Sequence, residues 1–207
     1  MSFIHKIVES GPLQVNCQIL GNQKSGQAVV MDPGGDADII LERLARLNLK
    51  LTHIVNTHGH FDHIGGVAQL QKVTGCEFWI HTADRFLVEG AAKHANSWGL
   101  PFGPIPNITR ELQGGEILEI AGLRIEVIPT PGHTPGGVCL LWTGGMAVGD
   151  TLFAGSIGRT DLPGGNHKQL ITSVRKNIFT LPDELDCYPG HGPATTVGEE
   201  RQHNPFF

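Results

Sequence analysis

The sequence predicts an α/β protein built as a four-layer αβ/βα sandwich, with two β-sheets face to face and helices on their outer sides. Three observations predict it. Strand and helix patterns alternate through the first half, and β runs resume in the second half and end in a helix. A chain of 207 residues with 40% hydrophobic content is long enough for one full core and short for two. Residues 1–207 are therefore read as one domain.

Residues 28–32 form a short apolar β run, and 36–48 carry Ile39, Ile40, Leu44 and Leu47 at helical spacing. A strand follows at 53–56. Residues 64–74 read as a helix with Val67, Leu70 and Val73 on one face, and 77–81 as a strand after a turn at Gly75. Residues 94–110 are interrupted by Pro101, Pro104, Pro106 and several glycines, so a surface loop is expected there. The second half restarts with β runs at 114–120 and 123–130, divided by Ala121-Gly122, and continues with runs at 138–142 and 146–150. A helix is expected over 167–179, buried along Leu170, Ile171, Val174 and Ile178.

The net charge of -5 provides no basic footprint for a phosphate backbone, which argues against nucleic acid and against anionic membrane surfaces. The first residues lack the apolar run of a secretion signal and no stretch approaches a membrane span, so a cytoplasmic location is expected. Cys17, Cys76, Cys139 and Cys187 are far apart without a CxxC pair, which fits reduced core thiols. Cys187 alone stands close to a candidate site residue, four positions before His191.

Thr57-His58-Gly59-His60-Phe61-Asp62-His63 follows a β run and precedes a helix, so it is a loop at the C-terminal end of a strand. A lone histidine is usually an ordinary core or surface residue. Here His58, His60, Asp62 and His63 crowd one tight loop, an arrangement hard to justify without a cation. Imidazole and carboxylate without thiolate suit an open catalytic site held by zinc or a late first-row metal. Three further segments place a metal-capable residue after a β run beside Gly or Pro: His133 in PGHT, Asp150 in GDT and His191 in PGHG. Seven ligands are too many for one tetrahedral ion and suit two ions sharing a carboxylate and a water.

The order HxHxDH, then PGHTPGG, GD and PGHG resembles the metallo-β-lactamase superfamily over nearly the whole chain. Within it, GRTDLPGGNHKQLITSV and the ending PGHGPATTVGEERQHNPF resemble the type II glyoxalase (hydroxyacylglutathione hydrolase) branch. The resemblance implies the metallo-β-lactamase fold and two divalent ions, zinc first, with iron or manganese as alternatives. It implies that His58, His60 and His133 hold one ion, that Asp62, His63 and His191 hold the other, and that Asp150 bridges. Asp32 in MDPGG matches an early aspartate that orients a ligand loop, or it belongs to an Asp-Pro-Gly-Gly turn. Arg159 and Asp161 lie shortly after Asp150, where an Arg–Asp pair would pin the loop or reach the pocket. His5, His53, His81, His94, His167 and His203 are read as surface or core residues.

A water between two such ions is acidified toward a pKa of about 7 and attacks a carbonyl polarised by the metal, so no Ser or Cys nucleophile is needed. Asp62 and Asp150 are the catalytic carboxylates, with Asp62 orienting the nucleophile. A thioester suits the site because its thiolate leaves without a strong acid, and the resemblance points to a small glutathione-linked thioester such as S-lactoylglutathione. The chain runs 16 residues past His191, so a short form without the C-terminal helical region of longer glyoxalases is expected, with residues 94–110 and 159–168 walling the pocket. The main rival is a persulfide dioxygenase with one iron on His58, His133 and Asp150. A lactonase or β-lactamase, and a scaffold protein with a silent site, are the others.

Overall fold

Alternate residues of the central strands point into different cores, and that alternation builds the layers. In the computed structural model, which describes residues 3–207, β1 (Phe3–Ser10), β2 (Val15–Asn22), β3 (Gln27–Met31), β4 (Lys50–Val55), β5 (Glu77–His81) and β6 (Arg110–Leu112) form one sheet in sequence order. β1 to β3 pair antiparallel and β3 to β6 parallel. Between these strands run α1 (Ala37–Arg46), α2 (Phe61–Ile64), α3 (Val67–Thr74) and α4 (Arg85–Ser97).

The second sheet uses β7 (Ile117–Ile120), β8 (Leu123–Pro129), β9 (Val138–Trp142) and β10 (Gly145–Gly149). A small ladder of β11 (Leu152–Phe153) and β12 (Ser156–Ile157) precedes α5 (His167–Ser173), which widens into a π-helical turn over Val174–Ile178. β13 (Asp186–Pro189) and β14 (Thr195–Thr196) complete the sheet in the order β14-β13-β10-β9-β8-β7, and α6 (Val197–His203) follows.

In β3, Val29 and Met31 join Leu140, Val127 and Ile125 of the second sheet, while Ala28 and Val30 join Ile40, Leu44 and Leu70 of the helices. In β10, Ala147 faces the shared core, and Met146 and Val148 pack on Val174 and Val197. The result is helix, sheet, sheet, helix, as expected. Each fully buried Ile or Leu in these layers stabilises the fold by about 1.5–3 kcal/mol.

Several local expectations are corrected. The β1–β2 hairpin lies outside the sequence expectations, because six of the eight β1 residues are exposed or half-exposed and the strand shows no clean alternation. The helix expected at 64–74 is broken at Gly65-Gly66, where a side chain would strike the carbonyls of Gly34 and Gly35. The loop expected at 94–110 begins later, since α4 runs to Ser97 on a buried stripe of Leu87, Val88, Ala91 and Ala95. Gly90 inside that helix hides the period from a composition reading. No helix among the described residues is long and apolar enough to cross a membrane.

Candidate metal centre

The histidine-rich loop leaves the end of β4 and is stapled before it turns into α2. Asn56 is buried, accepts from Asp32 N at 3.2 Å and donates to His63 O at 2.8 Å. Asp32 takes the left-handed conformation (φ 51°) at the end of β3 and aims its carboxylate at the same loop. It accepts from Thr57 N at 2.8 Å and from the Thr57 hydroxyl at 2.6 Å, and it lies 3.1 Å from His63 Nδ1. Of the two sequence readings of Asp32, the orienting one describes these contacts.

All seven sequence-predicted residues come together. His58, His60 and His133 offer ligand atoms within 4.8 Å of one another, and so do Asp62, His63 and His191. Asp150 lies between the groups. Its Oδ1 is 3.4 Å from His63 Nε2, and its Oδ2 is 3.7 Å from His133 Nε2 and 3.8 Å from His191 Nε2. Asp32 with His58 and His63 makes a third close set, but its carboxylate is spent on Thr57 and on the outer nitrogen of His63.

The outer ring nitrogens decide which way the lone pairs face. His133 Nδ1 donates to Arg159 O at 2.7 Å, His191 Nδ1 to Leu13 O at 3.0 Å, and His58 Nδ1 lies 3.0 Å from the Thr57 hydroxyl. With Nδ1 so engaged, each of these rings turns its Nε2 inward. His60 uses its other nitrogen, with Nδ1 2.9 Å from His133 Nε2. Nε2 of His58 and His63 and Oδ1 of Asp150, which face the cluster, are buried without a hydrogen-bond partner, as is the other ring nitrogen of His60, Nε2. Native interiors rarely leave such atoms orphaned, and the inward-facing nitrogens and Asp150 Oδ1 are a donor set that could hold a divalent cation.

The electrostatics agree. Burial depresses His58 far below its usual value and His60 to about 3, reinforced by neighbouring histidines, so both rings are neutral and ready to ligate. Burial also opposes charge on His63, but Asp150 and Asp62 outweigh it and push its pKa well up. Asp150 is held well below the carboxylate range, because His63 overcomes its burial.

Sequence reasoning missed Asp84. This fully buried carboxylate at the entry to α4 accepts from Gly59 N at 2.9 Å, the Thr134 hydroxyl at 2.8 Å and Gly136 N at 2.6 Å. It therefore ties the His58–His63 loop to the loop bearing His133. No short-range spacing announces it; the partners are 25, 50 and 52 residues away.

His94, read as an ordinary core or surface histidine, is a correction. It lines the pocket over the ligand cluster together with Phe61 and Trp98, its ring 5.6 Å from that of His60. Arg159 serves both ways: Asp161 pins it with two bonds of 2.8 Å, and it lines the pocket, 6.0 Å from the Trp98 ring. From the expected 94–110 wall, His94 and Trp98 alone line this pocket. Residues 104–109 help line a separate cleft beside α3. Cys187 is fully buried in the core under the second sheet, and burial pushes its thiol well up, which leaves it inert.

Comparison with known proteins follows the same lines. The model of the metallo-beta-lactamase superfamily matches residues 10–191. The chain is 37% identical to hydroxyacylglutathione hydrolase GloC of Haemophilus influenzae, over 98% of this chain and 97% of that protein. The crystal structure of the BLEG-1 B3 metallo-beta-lactamase superposes with a TM-score of 0.92 at 37% identity, covering 98% of this chain and 99% of that one. TTHA1623 in a di-iron-bound form superposes at 0.90, also 37% identical, covering 98% and 100%.

Proposed function

This chain belongs to the metallo-beta-lactamase superfamily, and on that premise we propose that it is a metal-dependent hydrolase of thioesters of the hydroxyacylglutathione type. One observation carries the reading: Asp150 stands between two His/Asp groups whose lone pairs face inward. The likeness to the Haemophilus hydrolase supports the thioester. In this reading His58, His60 and His133 hold one ion, Asp62, His63 and His191 the other, and Asp150 both. Nitrogen and carboxylate donors suit zinc or iron, and the di-iron form of TTHA1623 supports iron. When bound, two ions supply a polarised carbonyl and a hydroxide near neutral pH.

The residues of the chain do the rest. Asp62 Oδ2, 3.3 Å from His191 Nε2, accepts a hydrogen bond from the attacking water and fixes its direction. Leu13, Phe61, Trp98 and Leu162 wall the pocket and limit bulk water. Asp62 and Asp150 are the acidic groups among the described lining residues, and both are held ionised by histidines that offset their burial. Neither carboxylate can protonate a leaving group, and a thiolate departs without needing one, which fits the thioester reading.

The test is hydrolysis of S-lactoylglutathione by metal-loaded protein, with activity lost on chelation and regained on adding metal. A second reading, β-lactam hydrolysis, is favoured by the BLEG-1 likeness and is assayed beside it. Cleavage of a chromogenic β-lactam without thioester cleavage would overturn the proposal, and so would oxygen uptake with glutathione persulfide in place of hydrolysis.

A further inference from the structure

The pocket over the ligand cluster measures about 140 Å³, below the roughly 300–1,000 Å³ usual for ligand sites. It can take the reacting end of a substrate and little more. A groove of about 390 Å³ adjoins it, within the usual range of ligand sites, and shares His60 and His94 with it. Phe86, Gly90 and Lys93 of α4 line this groove with Pro163.

Two features of the groove point to an occupant. Its charge is one-sided. Lys93 has no ion pair among the described residues, and no carboxylate lines the groove. Glu89, one turn earlier on α4, pairs with Arg85 at 3.6 Å, and Arg159 at the neighbouring pocket is neutralised by Asp161. The second feature is Gly90. It sits inside a helix, where glycine is unfavourable, and a Cβ there would meet nothing within 4 Å. Packing does not require a glycine at this position. Its effect is to keep the groove open beside Phe86, a residue 46% exposed.

We propose that the α4 groove binds the thiol half of the substrate, a peptide-like thiol with a free carboxylate, which Lys93 holds while Phe86 covers the stem. This rests on the thioester reading above, and the test separates the two. Binding of S-methylglutathione, which cannot be hydrolysed as a thioester, is measured by calorimetry for the wild type, Lys93→Glu and Gly90→Leu. Charge reversal is expected to weaken binding by about tenfold, an effect that shrinks as salt is added. Gly90→Leu is expected to weaken binding while raising Tm, since a helix former replaces glycine. If Gly90→Leu lowers Tm instead, Lys93→Glu at unchanged Tm decides, and unchanged affinity in Lys93→Glu overturns the groove.

Turnover supplies the second arm. In Lys93→Glu the preference for S-lactoylglutathione over the uncharged S-lactoyl-N-acetylcysteamine should fall by about tenfold, mainly through KM. An equal loss on both substrates overturns the assignment of Lys93. If wild-type protein cleaves neither thioester yet binds S-methylglutathione through Lys93 and Gly90, the thioester reading falls and the groove stands.

Discussion

Asp84 satisfies three donors from two loops with one carboxylate, and an amide cannot replace it. In Asp84→Asn the oxygen can serve Gly59 and Thr134, but the amide nitrogen then faces the Gly136 N–H, donor against donor. Leaving buried donors unmatched costs about 1–3 kcal/mol. We expect a lowered Tm together with weaker metal binding, because the loops so joined carry His58, His60 and His133. Metal titration of the variant checks it, and wild-type affinity would show that Asp84 does not position the ligands. Asp150→Ala should lower total metal content and abolish hydrolysis, whereas His191→Ala should empty mainly one position. Elemental analysis distinguishes them: two ions per chain in Asp150→Ala would remove that residue from between the ions.

The elements bring these residues together by ending in the same place. His58 to His63 follow β4, His133 follows β8, Asp150 follows β10 and His191 follows β13. Gly190 shows how close the fit is, because a side chain there would strike Asp150 Oδ1 and the His63 ring. Gly190→Ala should therefore depress metal occupancy and activity strongly while circular dichroism stays native. Native occupancy would mean that the loop after β13 has slack. Strand ends beside Gly or Pro are visible in a sequence, which is why all four ligand segments and the strands Glu77–His81 and Val138–Trp142 were legible. α4 was not: Gly90 masks its period, and its buried Ala91 and Ala95 read as neutral. With α4 went His94, Trp98 and the groove.

For the molecule as a whole, pH and metal are linked. Without metal, burial opposes a proton on His63 but Asp150 and Asp62 secure it, so the folded pKa lies above the usual value. The stability from that proton is full below about 6.5 and is lost as pH rises through the raised value. His58 and His60 are depressed by burial, His60 to about 3, so they cost stability as pH falls below about 6.5. Ligation needs the lone pair that the His63 proton occupies. The Tm difference between metal-loaded and chelated protein should therefore widen from about pH 6 to about pH 8. A difference that narrows over that interval would take His63 out of the ligand set. Residue type and short-range spacing by themselves determined the chemistry of the centre, since ligand-bearing loops are local and hydrophobic period reports directly on strand and helix. Only the tertiary structure decided which way each lone pair faces, that Asp84 joins two loops, and that His94 and Lys93 border the site. Those facts depend on contacts such as His191 to Leu13, 178 residues apart, which exist only once two sheets have packed and no spacing along the chain encodes them.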